Sequence, residues 1–115
     1  MSGKTTNPPP TPGEILRELL EGEPQITQDR LASAMGVTRY SINQLVNDHR
    51  NITPEMALRL AKALSTTPDF WLNLQLAVDL HRSRRKLAAE LASVRRVRTA
   101  MPDHELFDDM TASTG

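Results

Sequence analysis

Arg39, Asn43, Gln44 and Asn47 bring hydrogen-bonding side chains together at spacings that share one face of an α-helix. A guanidinium can donate two parallel hydrogen bonds to a guanine edge. A carboxamide can pair in the same way with adenine, and each such pair discriminates by about 1–3 kcal/mol. Tyr40, beside Arg39, can stack or touch a thymine methyl, or fold back onto the protein body. Gln28 and Thr38 lie where helices are expected to start, and Arg50 lies in the loop that follows. These three are suited to holding phosphates, as are the free N–H groups at helix starts. Nothing comparable exists for bond-making chemistry. There is no cysteine, and His49, His81 and His104 are scattered without metal-ligand spacing. Asp108 and Asp109 read as tail charge, and no nucleophile–base order or phosphate loop is present. The chain is expected to be no enzyme and to need no metal or cofactor.

The elements around these residues have recognisable boundaries. Thr27 is placed to cap a helix whose apolar positions are Leu31, Ala32 and Met35. Gly36 follows, where a residue at positive φ ends a helix at low cost. Thr38 then caps the next helix, with Ile42, Leu45 and Val46 as its buried stripe. Residues Thr27–Asn47 thus predict a helix-turn-helix, in which the first helix braces and the second presents its outer face to the major groove. Upstream, Pro12 opens a helix with Ile15, Leu16, Leu19 and Leu20 on one face, ended by Gly22. Downstream, Thr53-Pro54-Glu55 starts a helix with Met56, Leu60, Ala63 and Leu64 on its apolar face and Ala57 beside it. Thr66 or Thr67 precedes Pro68 and a fifth helix, where Phe70, Trp71, Leu74 and Val78 recur at helical spacing. Both aromatics are expected to anchor the core. The pattern then runs on to about Arg98 with a bend near His81–Arg85, through Leu72, Leu76 and Leu80 and a second stripe of Leu87, Leu91 and Val94.

Bulk properties fit this reading. The 115 residues suit one domain with tails. With 38% hydrophobic and 3% aromatic residues, the core must be aliphatic, which favours packed helices over a β-sandwich. The formal net charge is zero, yet it is unevenly distributed. Residues 81–98 carry seven Lys/Arg against one Glu, and residues 99–115 carry four Asp/Glu and no Lys/Arg. No apolar run reaches the roughly 18 residues of a membrane span, and the N-terminal residues lack a signal peptide's apolar core. A cytoplasmic protein without membrane association is expected. The expected organisation is a flexible Pro-rich tail (1–11), a DNA-binding domain (12–80), a basic helical extension (81–98) and an acidic, disordered tail (99–115).

Thr27–Asn47 resembles the helix-turn-helix of phage-repressor-like regulators, the XRE family. Four flanking motifs narrow the resemblance: Pro12-Gly13-Glu14-Ile15-Leu16, Asn51-Ile52-Thr53, Ala57-Leu58-Arg59-Leu60-Ala61 and Phe70-Trp71-Leu72-Asn73-Leu74-Gln75. Together they are similar to HigA-type antitoxins of toxin–antitoxin modules, over about residues 12–80. Thr11 departs from the pattern, standing where the family often has His. The resemblance implies an all-α, five-helix, lambda-repressor-like domain that dimerises on a palindromic operator and represses its own operon. It also implies a toxin partner, a small mRNA endonuclease held inactive. By position, it implies Arg39, Tyr40, Asn43 and Gln44 as base readers and Gln28 and Thr38 as phosphate contacts.

The same residues also suit a stand-alone regulator without a toxin, or a helical interaction module that would lack salt-dependent DNA affinity. The basic extension admits three readings: packing on the body through Leu87, Leu91 and Val94, forming a homodimer, or reaching DNA phosphates. The Pro-rich leader is either plain tail or a segment that orders on a partner.

Overall fold

Five threonines mark the starts of five helices. In the computed structural model, which describes residues 7–99, the elements are α1 (Pro12–Leu20), α2 (Gln28–Met35), α3 (Arg39–Val46), α4 (Pro54–Leu64), α5 (Pro68–Lys86) and α6 (Ala88–Ala92). Thr11, Thr27, Thr38, Thr53 and Thr67 each take extended backbone just before α1 to α5. Each hydroxyl oxygen accepts the N–H of the residue three positions on, at 3.1–3.2 Å. A cap of this kind stabilises a helix by about 1 kcal/mol. At α1 the cap is reciprocal, because the Thr11 N–H donates to Glu14 Oε1 at 3.0 Å. Pro12, Pro54 and Pro68 open their helices, where the missing N–H costs nothing.

The expected helix ends are met in part. Gly36 closes α2 in the left-handed region at φ 71. The carbonyl of Met35 accepts a hydrogen bond from Arg59 Nη1 of α4 at 2.6 Å, which pins the turn. Gly22 does not act as a left-handed cap. α1 stops at Leu20, and Glu21 follows in right-handed geometry. Ser65, not foreseen, closes α4 at φ 57.

α3 packs against α1 and α2, and α4 joins α2 to α5. The buried set is Leu16, Leu20, Leu31, Ala32, Met35, Ile42, Leu45, Val46, Ile52, Ala57, Leu60 and Trp71. Trp71 is fully buried, and its indole N–H donates to Thr66 Oγ1 at 2.7 Å. Phe70 is not a core anchor. It lies 39% exposed, edge-on to Trp71 with ring centres 5.1 Å apart. The buried face of α4 is rotated from the expected one and centres on Ala57, Leu60 and Ala61, with Met56, Ala63 and Leu64 at its margins. Small side chains at 57 and 61 let neighbouring helices approach, which a hydrophobicity pattern weighted by size does not show.

α1 and α3 meet end to end. The N–H of Gly13 donates to Asp48 Oδ1 at 3.0 Å, and the Thr11 hydroxyl to Asp48 Oδ2 at 2.7 Å. A Cβ on Gly13 would stand 2.6 Å from the Leu45 carbonyl oxygen and 2.7 Å from that of Val46. In return, Arg17 Nη2 donates to the Val46 carbonyl and to Asn47 Oδ1, both at 3.3 Å.

A second long-range tie is Gln75, the buried polar side chain of α5. Its Oε1 accepts the Ile52 N–H at 2.8 Å, and its Nε2 donates to Asn51 Oδ1 at 3.3 Å and Asp79 Oδ1 at 3.0 Å. It fixes the segment that leaves α3. Beyond it α5 ends at Lys86, just past the expected bend, and α6 ends at Ala92, so Arg95, Arg96 and Arg98 lie outside any helix. Leu87, Leu91 and Val94 do not pack on the body; they are 39%, 50% and 69% exposed. The expectations for residues 1–6 and 100–115 lie outside the described residues.

Two substitutions test these ties. Gly13→Ala should destabilise the fold by about 1–3 kcal/mol, because both obstructing carbonyls are backbone; a urea titration measures it. Gln75→Leu should also cost about 1–3 kcal/mol, since it leaves the buried Ile52 N–H unpaired. Faster amide exchange at Ile52 than elsewhere in the core would accompany it.

Candidate nucleic-acid interface

α3 is eight residues long and divides cleanly into two faces. Ile42, Leu45 and Val46 are buried, while Arg39, Tyr40, Asn43 and Asn47 are exposed. Gln44 is half-buried, at the margin. Tyr40 is 66% exposed, so the ring is not spent on the protein's own packing.

The exposed side chains are held in place by weak contacts. Arg39 Nη1 pairs with Asp29 Oδ2 of α2 at 3.4 Å, with both side chains largely exposed. Ion pairs of this kind contribute no more than about 1 kcal/mol and can be exchanged for a better partner. Asn43 Nδ2 reaches Gln28 Oε1 at 3.5 Å. Asn47 Nδ2 donates to the Asn43 carbonyl at 2.9 Å and to Asn43 Oδ1 at 3.3 Å. Gln28, at the start of α2, thus stands beside the outer face of α3, as the helix-turn-helix requires.

The N-terminal end of α3 gathers the remaining candidates. Thr38 caps the helix, and its hydroxyl also donates to Ser41 Oγ at 3.0 Å. Arg50 Nη1 donates to the same Ser41 oxygen at 3.1 Å. Thr38 and Arg50 therefore flank one helix end, where N–H groups and a positive dipole attract anions. On the other side, a cleft of about 320 Å³ is bordered by Arg17, Thr27, Gln28, Asn43 and Asn47. Gln28, Asn43 and Asn47 thus border one cleft beside α3, while Thr38 and Arg50 meet at Ser41 at its N-terminal end.

Sequence reasoning missed Arg17, Asp29, Ser41 and Asp48. Asp29 follows Gln28 in α2 and gave no local signal of its pairing with Arg39. Asp48 carries one faint signal: with Asn47 it forms an Asn-Asp pair after a helix, and these residues tolerate the left-handed region where Asp48 lies, at φ 58.

Among the described residues no group of three His, Cys, Asp or Glu could hold a metal ion. Among them, too, no helix is long and apolar enough to cross a membrane.

The helix-turn-helix family model matches residues 16–71, which contain all of α2 and α3. The HTH-type transcriptional regulator YbaQ of Escherichia coli (strain K12) is 50% identical over 78 residues, covering 67% of this chain and 68% of that protein. The antitoxin HigA-1 of Vibrio cholerae serotype O1 is 43% identical over 93 residues, covering 80% of this chain and 87% of HigA-1. Among solved structures, antitoxin GraA in complex with its operator superposes with a TM-score of 0.72 at 39% identity, covering 81% of this chain and 95% of GraA. With this agreement over nearly the full length of an antitoxin, and with the helix-turn-helix geometry intact, the chain belongs to the HigA-type antitoxins of the phage-repressor-like (XRE) helix-turn-helix family, a family of DNA-binding regulators rather than enzymes.

Proposed function

We propose that this chain is the antitoxin of a type II toxin–antitoxin module, which binds operator DNA, represses its own operon and neutralises a small mRNA-endonuclease toxin. The observation that carries the DNA-binding half is the outer face of α3, where Arg39, Tyr40, Asn43 and Asn47 are exposed and held only by exchangeable contacts. GraA, a relative of similar fold, was solved on its operator. Arg39, Tyr40, Asn43 and Gln44 read base edges, with Asn47 at the end of the same face. Gln28, Thr38 and Arg50 hold phosphates. Membership in the HigA-type antitoxins supports the toxin partner.

The chain acts as a homodimer. Leu76 and Leu80 of α5 and Leu87 beyond it are exposed at spacings of one helical face, and a second copy would cover them. Two-fold symmetry then sets two α3 helices in successive major grooves, about 34–36 Å apart. The protein works in the cytoplasm, where its DNA is.

Binding of the purified protein to its own promoter, compared with a scrambled duplex at two salt concentrations, tests this reading. A clear preference for the promoter that survives moderate salt is expected. Weak, equal binding that vanishes with salt would refute sequence-specific repression. Arg39→Ala should weaken promoter binding by about 10-fold or more and leave scrambled binding nearly unchanged, the mark of a base reader. Equal loss on both duplexes would make Arg39 a phosphate contact. Co-expression with the neighbouring small reading frame should yield a stable complex and restore growth; failure of both would point to a stand-alone regulator.

A further inference from the structure

α5 carries a second polar stripe on the side away from the N-terminal segment. Gln75, Asp79, Arg82, Ser83 and Lys86 recur at spacings of three and four, and so share one helix face. The stripe begins at the loop that leaves α3, because Gln75 binds both Asn51 and Ile52. Asn51, Asp79, Arg82, Ser83 and Lys86 border an open cleft of about 400 Å³. A neighbouring cleft, bordered by Arg50, Asn51, Thr53, Glu55 and Met56, shares Asn51 with it. The surface therefore passes without a break from Ser41 and Arg50, at the start of α3, to Arg82 and Lys86.

Of the charges on this stripe, Asp79 is held by Gln75. The two ion pairs among the described residues are Arg39–Asp29 and Arg59–Glu55, so neither Arg82 nor Lys86 pairs with another described residue. Basic residues in a last turn favour the helix dipole, which accounts for Arg84, Arg85 and Lys86. Arg82 lies before that turn and is not explained this way. Arg84 and Arg85 border a different cleft, with Asn7, Pro9, Leu80 and His81. Asp79 is the carboxylate of the basic cleft, and its Oδ1 is occupied by the Gln75 amide.

We infer that Arg82 and Lys86, with Ser83 and Asn51, form a second phosphate-binding surface that grips the DNA backbone beyond the bases read by α3. A guanidinium, an ammonium, a hydroxyl and an amide are the donors a phosphodiester takes. From Arg82 to Lys86 the helix advances about 6 Å. A duplex presents a phosphate on each strand about every 3.4 Å of axis, so the two cations can meet two successive phosphates. Its partner is B-form DNA flanking each half-site, bound without regard to sequence. The inference rests on the operator-binding reading.

The test is the salt dependence of binding by the full chain, on promoter duplexes with short and long flanks and on scrambled DNA. For Arg82→Gln with Lys86→Gln, the slope of log K against log salt should fall by about 3.6 for the dimer, at about 0.9 for each of two phosphates released per protomer. Affinity should drop by a similar factor on promoter and scrambled DNA, and the gain from longer flanks should disappear. The matched pair Arg84→Gln with Arg85→Gln removes equal charge from the other face and should leave the flank effect in place. Asp79→Asn, which keeps the acceptor for Gln75, should tighten binding to both duplexes. An unchanged slope in the Arg82/Lys86 variant, or equal losses in the two double variants, would overturn the inference; the first result would redirect this face to an acidic protein partner. Wild-type protein without promoter preference would instead mark failure of operator binding itself. All four charged positions are exposed, so each double variant should melt like the parent chain.

Discussion

An eight-residue helix does not hold its shape alone in water, where stable isolated helices need roughly 12–15 residues. The geometry of α3 therefore depends on its junction with α1. Asp48, in left-handed backbone at the end of α3, brings a carboxylate to the N-terminus of α1, where the helix dipole and two donors receive it. Arg17 of α1 returns a cation to the C-terminal carbonyl of α3. Each helix end thus neutralises the other. The approach is close enough that residue 13 has no room for a side chain. With the buried stripe of Ile42, Leu45 and Val46, this junction fixes the axis of α3, and the exposed face takes its direction from that axis.

What could be read in the sequence was what local chemistry determines. Three threonine caps, the left-handed Gly36 and the α3 stripe are specified within a few residues of themselves, and all were legible, whereas the start of α5 was left between Thr66 and Thr67. Trp71 as the core anchor was legible too, because it is the one indole in an aliphatic chain. Thr11 was passed over as a departure from a family pattern, although it caps α1 by the same rule as the others. Its partner Asp48 lies 37 residues away, and no pattern in either segment joins them. Gln75 was quoted only within a motif, since its role arises where α5 passes the loop after α3. Phe70 misled because aromatic residues at helical spacing suggest burial, whereas adjacent positions on a helix face different ways. Of the candidate side chains, Arg39, Tyr40, Asn43 and Asn47 were legible as the exposed face of α3, but not the partners that hold them: Asp29 and Ser41 became visible only once α2, α3 and the loop were in place.

Those partners bear on how the surface meets a ligand. Arg39, Asn43 and Asn47 are not free rotors but rest on Asp29, Gln28 and one another. Exposed contacts of this strength confine a side chain without committing it. The cost of ordering a long side chain on binding, about 0.5–1.5 kcal/mol each, is thereby reduced in advance. The electrostatics follow the same economy. A net charge of zero avoids a strong field over the whole molecule, while the basic excess is confined to residues 81–98, which carry seven Lys/Arg against one Glu.

The five threonine caps have a consequence for time as well as for stability. Because each helix start is encoded within four residues, the boundaries of α1 to α5 are set locally, although the short helices gain their stability only as they pack. Most of the helix contacts then join near neighbours in the chain, α2 with α3 and α4 with α5 among them. Helical domains of this low contact order fold in about microseconds to milliseconds. A ribosome adds about 5–20 residues per second, so the chain is folded almost as soon as α5 has emerged. Pairing of two copies, which depends on concentration, is then the slower step between synthesis and a competent dimer.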